Sequence, residues 1–370
     1  MMGNDNITAY QYLSMYSFNT DSYYAFGKTP VSVQSIYETV TANPLVTWET
    51  AKTWNIGFSS QFLNGKLGLD LDYFQSNRND ILITRNASIP TYSGLSLPAE
   101  NLGKVKNHGF EAIATYRDSK GDFEWGVTGN VTYAKNEVVY ADEAADTPAW
   151  QRETGHPIDG GTYYKALGIY QTQEQIESTP HLSGTKIGDL IYQDTNKDGN
   201  ITWDDAVRRD KSATPKWIFG LTLNGSWKGM DVNAFFQGQA DAEILVQPTM
   251  NMATDFYEGR WSESNTAEQN AAAKWPRAFM KASSVDNRNS QSSTWWLRDA
   301  SFVRLKSLEI GYTFPKTLIS PLGVEKLRLY VNGNNLFTID SVGIFDPEMT
   351  NGIRGYSLQR SWTFGLNVTF

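Results

Sequence analysis

The 370-residue sequence contains no cysteine, three histidines and no long apolar run. The missing cysteine removes disulfide frameworks, thiol catalysis and cysteine-based zinc sites. Any metal must be held by oxygen or by His108, His156 or His181, which are scattered without partners at metal-ligand spacing. No segment approaches the ~20 apolar residues a helix needs to cross a bilayer, so a helical membrane protein is excluded. Positive charge is in the minority, 32 Lys and Arg against 40 Asp and Glu for a net charge of −8, and no basic stripe occurs. That balance excludes a nucleic-acid partner, whose phosphates demand a basic footprint. No serine nucleophile elbow, P-loop or dinucleotide fingerprint is present. The carboxylate pairs Asp255/Glu258, Glu137/Asp142 and Asp142/Glu143 are what an acidic chain produces by chance rather than a glycosidase pair, so no catalysis is expected. Residues 1–7 also lack the charged and apolar regions of a signal peptide, and an exported chain with this start is expected to be part of a longer one.

Aromatic residues, by contrast, are abundant: 19 Tyr, 18 Phe and 12 Trp. They sit in a pattern of period two, clearest at the end of the chain, where Trp362, Phe364, Leu366, Val368 and Phe370 alternate with Ser361, Thr363, Gly365, Asn367 and Thr369. A strand sends alternate side chains to opposite faces, so this segment has one greasy face and one wet face. Outer-membrane barrel strands commonly end on an aromatic residue read by the barrel assembly machinery, and these five apolar residues are the candidate assembly signal. The alternation recurs at Trp54/Ile56/Phe58, Leu67/Leu69/Leu71/Tyr73, Phe110/Ala112/Ala114/Tyr116, Phe123/Trp125/Val127, Trp217/Phe219/Leu221/Leu223 and Leu327/Leu329/Val331. About ten such strands are expected, each of roughly ten residues or more, the length a tilted strand needs to span a bilayer.

Tight links at Asn64/Gly65, Ser119 to Gly121 and Lys228/Gly229, with a longer one from Pro315 to Val324, alternate with excursions near 19–47, 78–102, 139–212, 241–298 and 339–356. Short turns on one side and long loops on the other are the asymmetry of an outer-membrane barrel. The fold class expected is therefore all-β, an antiparallel transmembrane β-barrel whose outward residues meet outer-membrane lipid. Polar residues Thr222, Asn224, Asn332, Asn334, Thr363 and Asn367 are expected on the lumen face. Val303 and Leu305 share one parity while Leu308, Ile310, Tyr312 and Phe314 hold the other, which predicts a bulge near Lys306 and Ser307. The competing reading is a soluble carbohydrate-binding β domain with the same alternation facing a core; strand length and the aromatics near strand ends, placed as interfacial girdles, stand against it.

Residues 194–205, inside the longest loop, fit an EF-hand-like calcium loop. Side-chain oxygens fall at Asp194, Asn196, Asp198 and Asp205, Gly199 takes the sharp turn, and the Asn200 carbonyl is the main-chain ligand. Asp205 stands where a longer Glu usually closes such a site. The expected cofactor is a structural calcium ion that stiffens loop 139–212. Trp150, Tyr163, Tyr164, Trp261 and Trp275, together with Trp203, lie in the two longest loops, where rings either stack on sugars and partner surfaces or hold the loops together. Trp295 and Trp296 are expected to anchor the start of a strand.

Several segments carry a family likeness. Asn43, Pro44, Trp48 and Glu49 before a strand resemble the opening of a barrel hairpin in TonB-dependent receptors. Gly188, Asp189 and Tyr192 leading into the 194–205 loop, then Arg260/Trp261, Lys274/Trp275/Pro276/Arg277, Trp296 to Lys306, Gly311/Tyr312, Leu327 to Tyr330, Asn335 to Thr338 and Asp346/Pro347/Glu348 resemble the SusC/RagA branch. The resemblance covers nearly the whole chain in order. It implies a 22-stranded outer-membrane barrel of a Gram-negative bacterium, importing glycan oligomers or peptides, powered by the TonB complex and lidded by a SusD-like surface lipoprotein. On this reading residues 1–370 are the carboxy-terminal part of the barrel, without plug domain or TonB box, and 139–212 and 241–298 are extracellular loops. A plug-free, porin-like or structural barrel is the alternative within the same fold. Expressed alone, the ten strands are expected not to insert as a conducting barrel, because an open stack leaves two unpaired edges.

Overall fold

The computed structural model describes residues 7, 10–19, 23–24, 31–32, 35–85, 97–246, 253–278, 288–343, 345–349 and 357–370. Nine long strands form one sheet: β1 Thr50–Phe62, β2 Leu67–Thr84, β3 Ala99–Lys120, β4 Phe123–Tyr140, β5 Trp217–Trp227, β6 Met230–Ala240, β7 Phe302–Thr313, β8 Lys326–Asp340 and β9 Ser361–Thr369. Neighbours in the sheet are neighbours in sequence, and every pairing from β4 to β9 is antiparallel. This is the up-and-down order of a barrel wall, and the nine strands are a partial barrel sheet. Among the described residues before 20, Met15–Asn19 is a strand but not a tenth strand of the wall. Met15–Asn19 pairs locally with Ser35–Val40 in a separate two-stranded sheet.

The alternation read from the sequence sets the faces. Val232, Ile310 and Val331 are successive cross-strand partners with Phe364, as are Tyr312, Leu329 and Leu366. Along β9 Phe364 is 81% exposed and Phe370 beyond it 84%. Exposed Trp54, Ile56, Phe58 and Phe62 make a similar row on β1. Contiguous apolar rows of this size are rare on soluble domains, and in a barrel they face lipid. The opposite face is polar: Asn332 donates to Ser307 Oγ at 3.2 Å and to Glu309 Oε2 at 3.4 Å, and Arg328 bridges Asp231 and Glu309. The expected lumen residue Asn224 pairs with Asn233, and Asn332 with Thr363, on that same face.

The turns follow their residues. Lys228 and Gly229, at φ +48° and +87°, form a two-residue turn that pairs Trp227 with Met230, the primed geometry that strand twist favours. A Cβ at residue 229 would also meet the Thr313 carbonyl oxygen at 2.6 Å, so only glycine serves there. Pro315 leads into a short helix, Lys316–Ile319, and a 3-10 turn, Ser320–Leu322. The bulge falls as expected. Phe235 and Phe236, adjacent on β6, face Ser307 and Leu305, which leaves Lys306 as the extra residue.

Strand ends depart from expectation. β2 and β3 run past the predicted boundaries at 78 and 102, to Thr84 and from Ala99. Their hydrophobic alternation stops there, but pairing continues through polar contacts: Arg78 to Glu49, Arg85 to Glu100, and Asn101 Nδ2 to the Asp80 carbonyl. The polar run Gln75 to Asp80 interrupts the alternation ahead of Ile81, Leu82 and Ile83, so the period-two pattern ends before the strand does.

The chain divides into two compact units, one of Met1–Trp54, Phe74–His108 and Asn136–Ile158, the other of Asn55–Tyr73, Gly109–Lys135 and Asp159–Phe370. The first is held by the polar contacts just named and by Asn43, which donates to the Ala99 carbonyl. The second contains the main hydrophobic core, and that core lies in the loops that follow β4, β6 and β8 rather than between sheet layers.

Candidate functional site

The expected loops 139–212 and 241–298 contain folded structure. Thr162–Tyr163 pairs with Val207–Arg208, Ala166–Ile169 with Leu190–Tyr192, and Glu243–Leu245 with Leu297–Asp299. The short helix Gln173–Ser178 is capped by Thr172 and Ala267–Ala271 by Thr266, each through a reciprocal capping box with a Gln three residues on. Together these pieces make a platform built around Trp296, which is fully buried and stacks on Trp275 with ring centroids 5.7 Å apart at 14°.

Ligand-contact candidates sort by burial. Tyr164, Trp261 and Trp275 are 5%, 8% and 4% exposed and belong to the platform core. Trp261 Nε1 donates to Gln171 Oε1 at 3.1 Å, and its backbone N–H to the Trp275 carbonyl at 2.9 Å. Of the two roles open to these rings, holding the loops together is the one their positions serve. Tyr163 is half-buried, and burial pushes its phenol up. Trp150, in the other compact unit, is half-buried. Trp203 is 54% exposed and meets Tyr164 edge-on at 5.8 Å. Trp296, expected to anchor the start of a strand, closes the 3-10 turn Thr294–Trp296 directly before the strand Leu297–Asp299, and its ring is at the same time the centre of the platform.

Residues without an assigned role in the sequence reading organise the platform. Asp189 is fully buried, with Arg277 Nε 2.6 Å from Oδ1, Asn289 Nδ2 donating to Oδ1 at 2.7 Å and the Lys186 N–H donating to Oδ2 at 2.8 Å. Asn289, also fully buried, accepts from the Leu190 N–H on Oδ1 and from Trp296 Nε1 on its carbonyl, both at 2.9 Å. Burial raises the phenol of Tyr192 far above its ordinary range, and its hydroxyl donates to the Arg288 carbonyl at 2.6 Å. Beside the platform Arg304, 1% exposed, donates from Nη1 to Glu348 at 2.5 Å, from Nη2 to Asp346 at 2.8 Å and from Nε to Thr338 at 2.9 Å. The Asp346 to Glu348 turn is thereby pinned to β7.

The 194–205 loop is closed by its own hydrogen bonds. Asp194 accepts from the N–H groups of Lys197, Asp198 and Gly199 at 2.7, 3.2 and 2.9 Å. Asp205 is fully buried and accepts from Thr195, Asn196 and Thr202 N–H groups at 2.7, 3.3 and 2.8 Å. Asp198 accepts from the Asn200 N–H at 2.7 Å and from Asn196 Nδ2 at 3.0 Å. Among the described residues no three His, Cys, Asp or Glu side chains are gathered to hold a metal. Asp205 caps the 3-10 turn Trp203–Asp205, so it closes the loop as a hydrogen-bond acceptor.

Between the helices Ala253–Gly259 and Ala267–Ala271 and the Thr294–Trp296 turn lies an open cleft of about 1000 Å³. Glu258, Arg260, Lys274, Trp295 and Arg298 are among its walls. Burial holds the Arg298 guanidinium below its ordinary range.

The profile of the family described as "TonB dependent receptor-like, beta-barrel" matches residues 9–336. TonB-dependent receptor P3 of Formosa agariphila is 29% identical over 403 residues, covering 100% of this chain and 38% of that protein. TonB-dependent receptor SusC of Bacteroides thetaiotaomicron is 26% identical over 379 residues, covering 100% and 36%. Among solved structures, the RagAB peptide transporter superposes with a TM-score of 0.69 at 21% identity, over 100% of this chain and 39% of that one, which shows a shared fold. The chain thus spans less than two fifths of the length of these relatives.

Proposed function

The chain belongs to the TonB-dependent receptor-like β-barrel family, and from that premise we propose that it forms carboxy-terminal wall strands and outer loops of an outer-membrane importer of glycan oligomers or peptides. The observation that carries this reading is a wall with one lipid-type face and one polar face, continued at its loop ends by a platform with its own core. Such a platform is rigid enough to meet a ligand or a lid, here proposed to be a SusD-like surface lipoprotein, with energy coupling through the TonB complex and residence in a Gram-negative outer membrane. Loops 139–212 and 241–298 are placed outside the cell and the β9 apolar row is read by the barrel assembly machinery.

The test is uptake of fluorescently labelled oligosaccharides and peptides by cells carrying or lacking the gene, with and without a TonB-inactivating lesion. Uptake that requires both the gene and TonB is expected. Uptake that survives loss of TonB would replace this reading with a porin-like barrel.

A structural calcium ion is proposed for the 194–205 loop, held by side-chain oxygens of Asp194, Asn196 and Asp198 and the Asn200 carbonyl, with Asp205 left to its hydrogen bonds. Protease cleavage in this loop is expected to be slower in calcium than in chelator, and the Asp194→Ala/Asp198→Ala variant is expected to lose the difference. Equal cleavage of the wild type in both conditions removes calcium from the loop.

A further inference from the structure

The cleft beside Trp295 runs against the charge of the chain. Arg260, Lys274 and Arg298 line it with Glu258 as the single acidic neighbour among the described residues, in a protein of net charge −8. None of the three cations has a carboxylate partner among the described residues. Several other cations of this unit do have carboxylate partners: Arg209 with Glu243, Arg277 with Asp189, Arg304 with Asp346 and Glu348. A half-buried guanidinium without a counter-ion is costly unless something supplies the charge.

Two of these cations are held in place. Arg298 donates from Nη1 to the Trp295 and Leu297 carbonyls at 2.8 and 2.9 Å, and its guanidinium lies 5.2 Å from the Trp275 ring. Nε and Nη2 have no acceptor among the described residues, which leaves a forked pair of donors of the kind that matches a carboxylate or sulfate. The Arg260 guanidinium rests 3.9 Å over the Tyr257 ring. A third, independent sign is the Trp295 indole in the same wall, whose buried Nε1 donor has no acceptor among the described residues.

We propose that this cleft binds an acidic oligosaccharide, its carboxylate or sulfate groups set between Arg260, Lys274 and Arg298 and its hydroxyls meeting the polar rim. The cleft is the size of sites that enclose drug-sized ligands, about 300–1,000 Å³. Its recognition groups are side-chain cations and indole rather than an open row of backbone donors and acceptors, which is why a sugar fits better than an extended peptide. This inference rests on the importer reading and narrows its substrate.

The experiment measures calorimetric binding to the detergent-extracted outer-membrane protein. The probes are a galacturonate hexamer, a sulfated galactan hexamer, a neutral glucose hexamer and hexaglutamate. At least one acidic sugar is expected to bind about tenfold tighter than the neutral one, with the preference fading at high salt. Lys274→Gln is expected to weaken acidic-sugar binding several-fold. Glu258→Gln, which removes the opposing charge and no packing, is expected to strengthen it. Equal binding of acidic and neutral sugars, indifference to both substitutions, or hexaglutamate binding as tightly as the sugars overturns the proposal. If the cleft variants change nothing while TonB-dependent oligosaccharide uptake persists, the cleft assignment falls and the importer reading stands. If the wild type neither binds nor takes up any oligosaccharide, the glycan-importer reading falls with it.

Discussion

Replacing Arg304 by methionine is expected to release the Asp346 to Met349 turn from β7 while leaving the wall strands assembled. The guanidinium is 1% exposed and holds Asp346, Glu348 and Thr338 at once. Removing one side of a buried ion pair costs about 3–5 kcal/mol, because the remaining charges are left desolvated and unmatched. Here two carboxylates lose their fork, and what remains for Glu348 among the described residues is the more distant Lys306 at 3.9 Å and a long hydrogen bond from Gln237 Nε2 at 3.5 Å. The amides of Glu348 and Met349, which bond back to Asp346, should then exchange with deuterium at least a hundredfold faster, since each 1.4 kcal/mol is a factor of ten. Arg304→Lys should rescue little: an ammonium offers a point charge where the site uses a planar fork. Adding Asp346→Asn and Glu348→Gln to Arg304→Met should recover part of the loss by removing the stranded charges. Unchanged exchange in the single variant would mean that the turn is held by something other than this network.

The same contrast between wall and platform separates what could be read in the sequence from what could not. The wall was legible because its physics is local: a strand between lipid and water must alternate, so Trp362 to Phe370 announces its faces residue by residue. The bulge at Lys306 was legible for the same reason, as a break in parity. Where alternation ends but pairing continues, as at Arg78/Glu49 and Asp80/Asn101, the boundaries were drawn short. The platform was illegible because its core joins segments a hundred residues apart, such as Asp189 with Asn289, and no period links them. Trp203 and Trp275 look alike in a sequence, yet one is 54% exposed and the other 4%. Gly188/Asp189 and Asp346/Pro347/Glu348 were visible as motifs. What stayed hidden was the work of Asp189 under Trp296 and of Asp346 and Glu348 around Arg304.

Asp189→Ala is the substitution expected to unmake the platform. It removes the acceptor shared by Arg277 and Asn289 from a site with no solvent exposure. Breaking this ion pair on its fully buried side and freeing a carboxamide together cost about 3–5 kcal/mol. The loss propagates, because Asn289 also holds the Leu190 N–H and the Trp296 indole, and Trp296 stacks on Trp275. The near-ultraviolet circular dichroism of the stacked indoles should collapse, and protease should cut within 159–212 and 253–300 at low enzyme ratios. Asp189→Asn should be milder: the shape and the Lys186 bond survive, but an amide cannot offset Arg277. The decisive comparison is with the wall. Heat-modifiable mobility of the extracted barrel should be unaffected in both variants if the platform is a separately cooperative unit, since its core shares no residue with the strand pairs of β8 and β9. A variant that loses the indole signal and the barrel mobility together would show instead that the platform and the wall fold as one, and that the loops are a condition of the barrel rather than an addition to it.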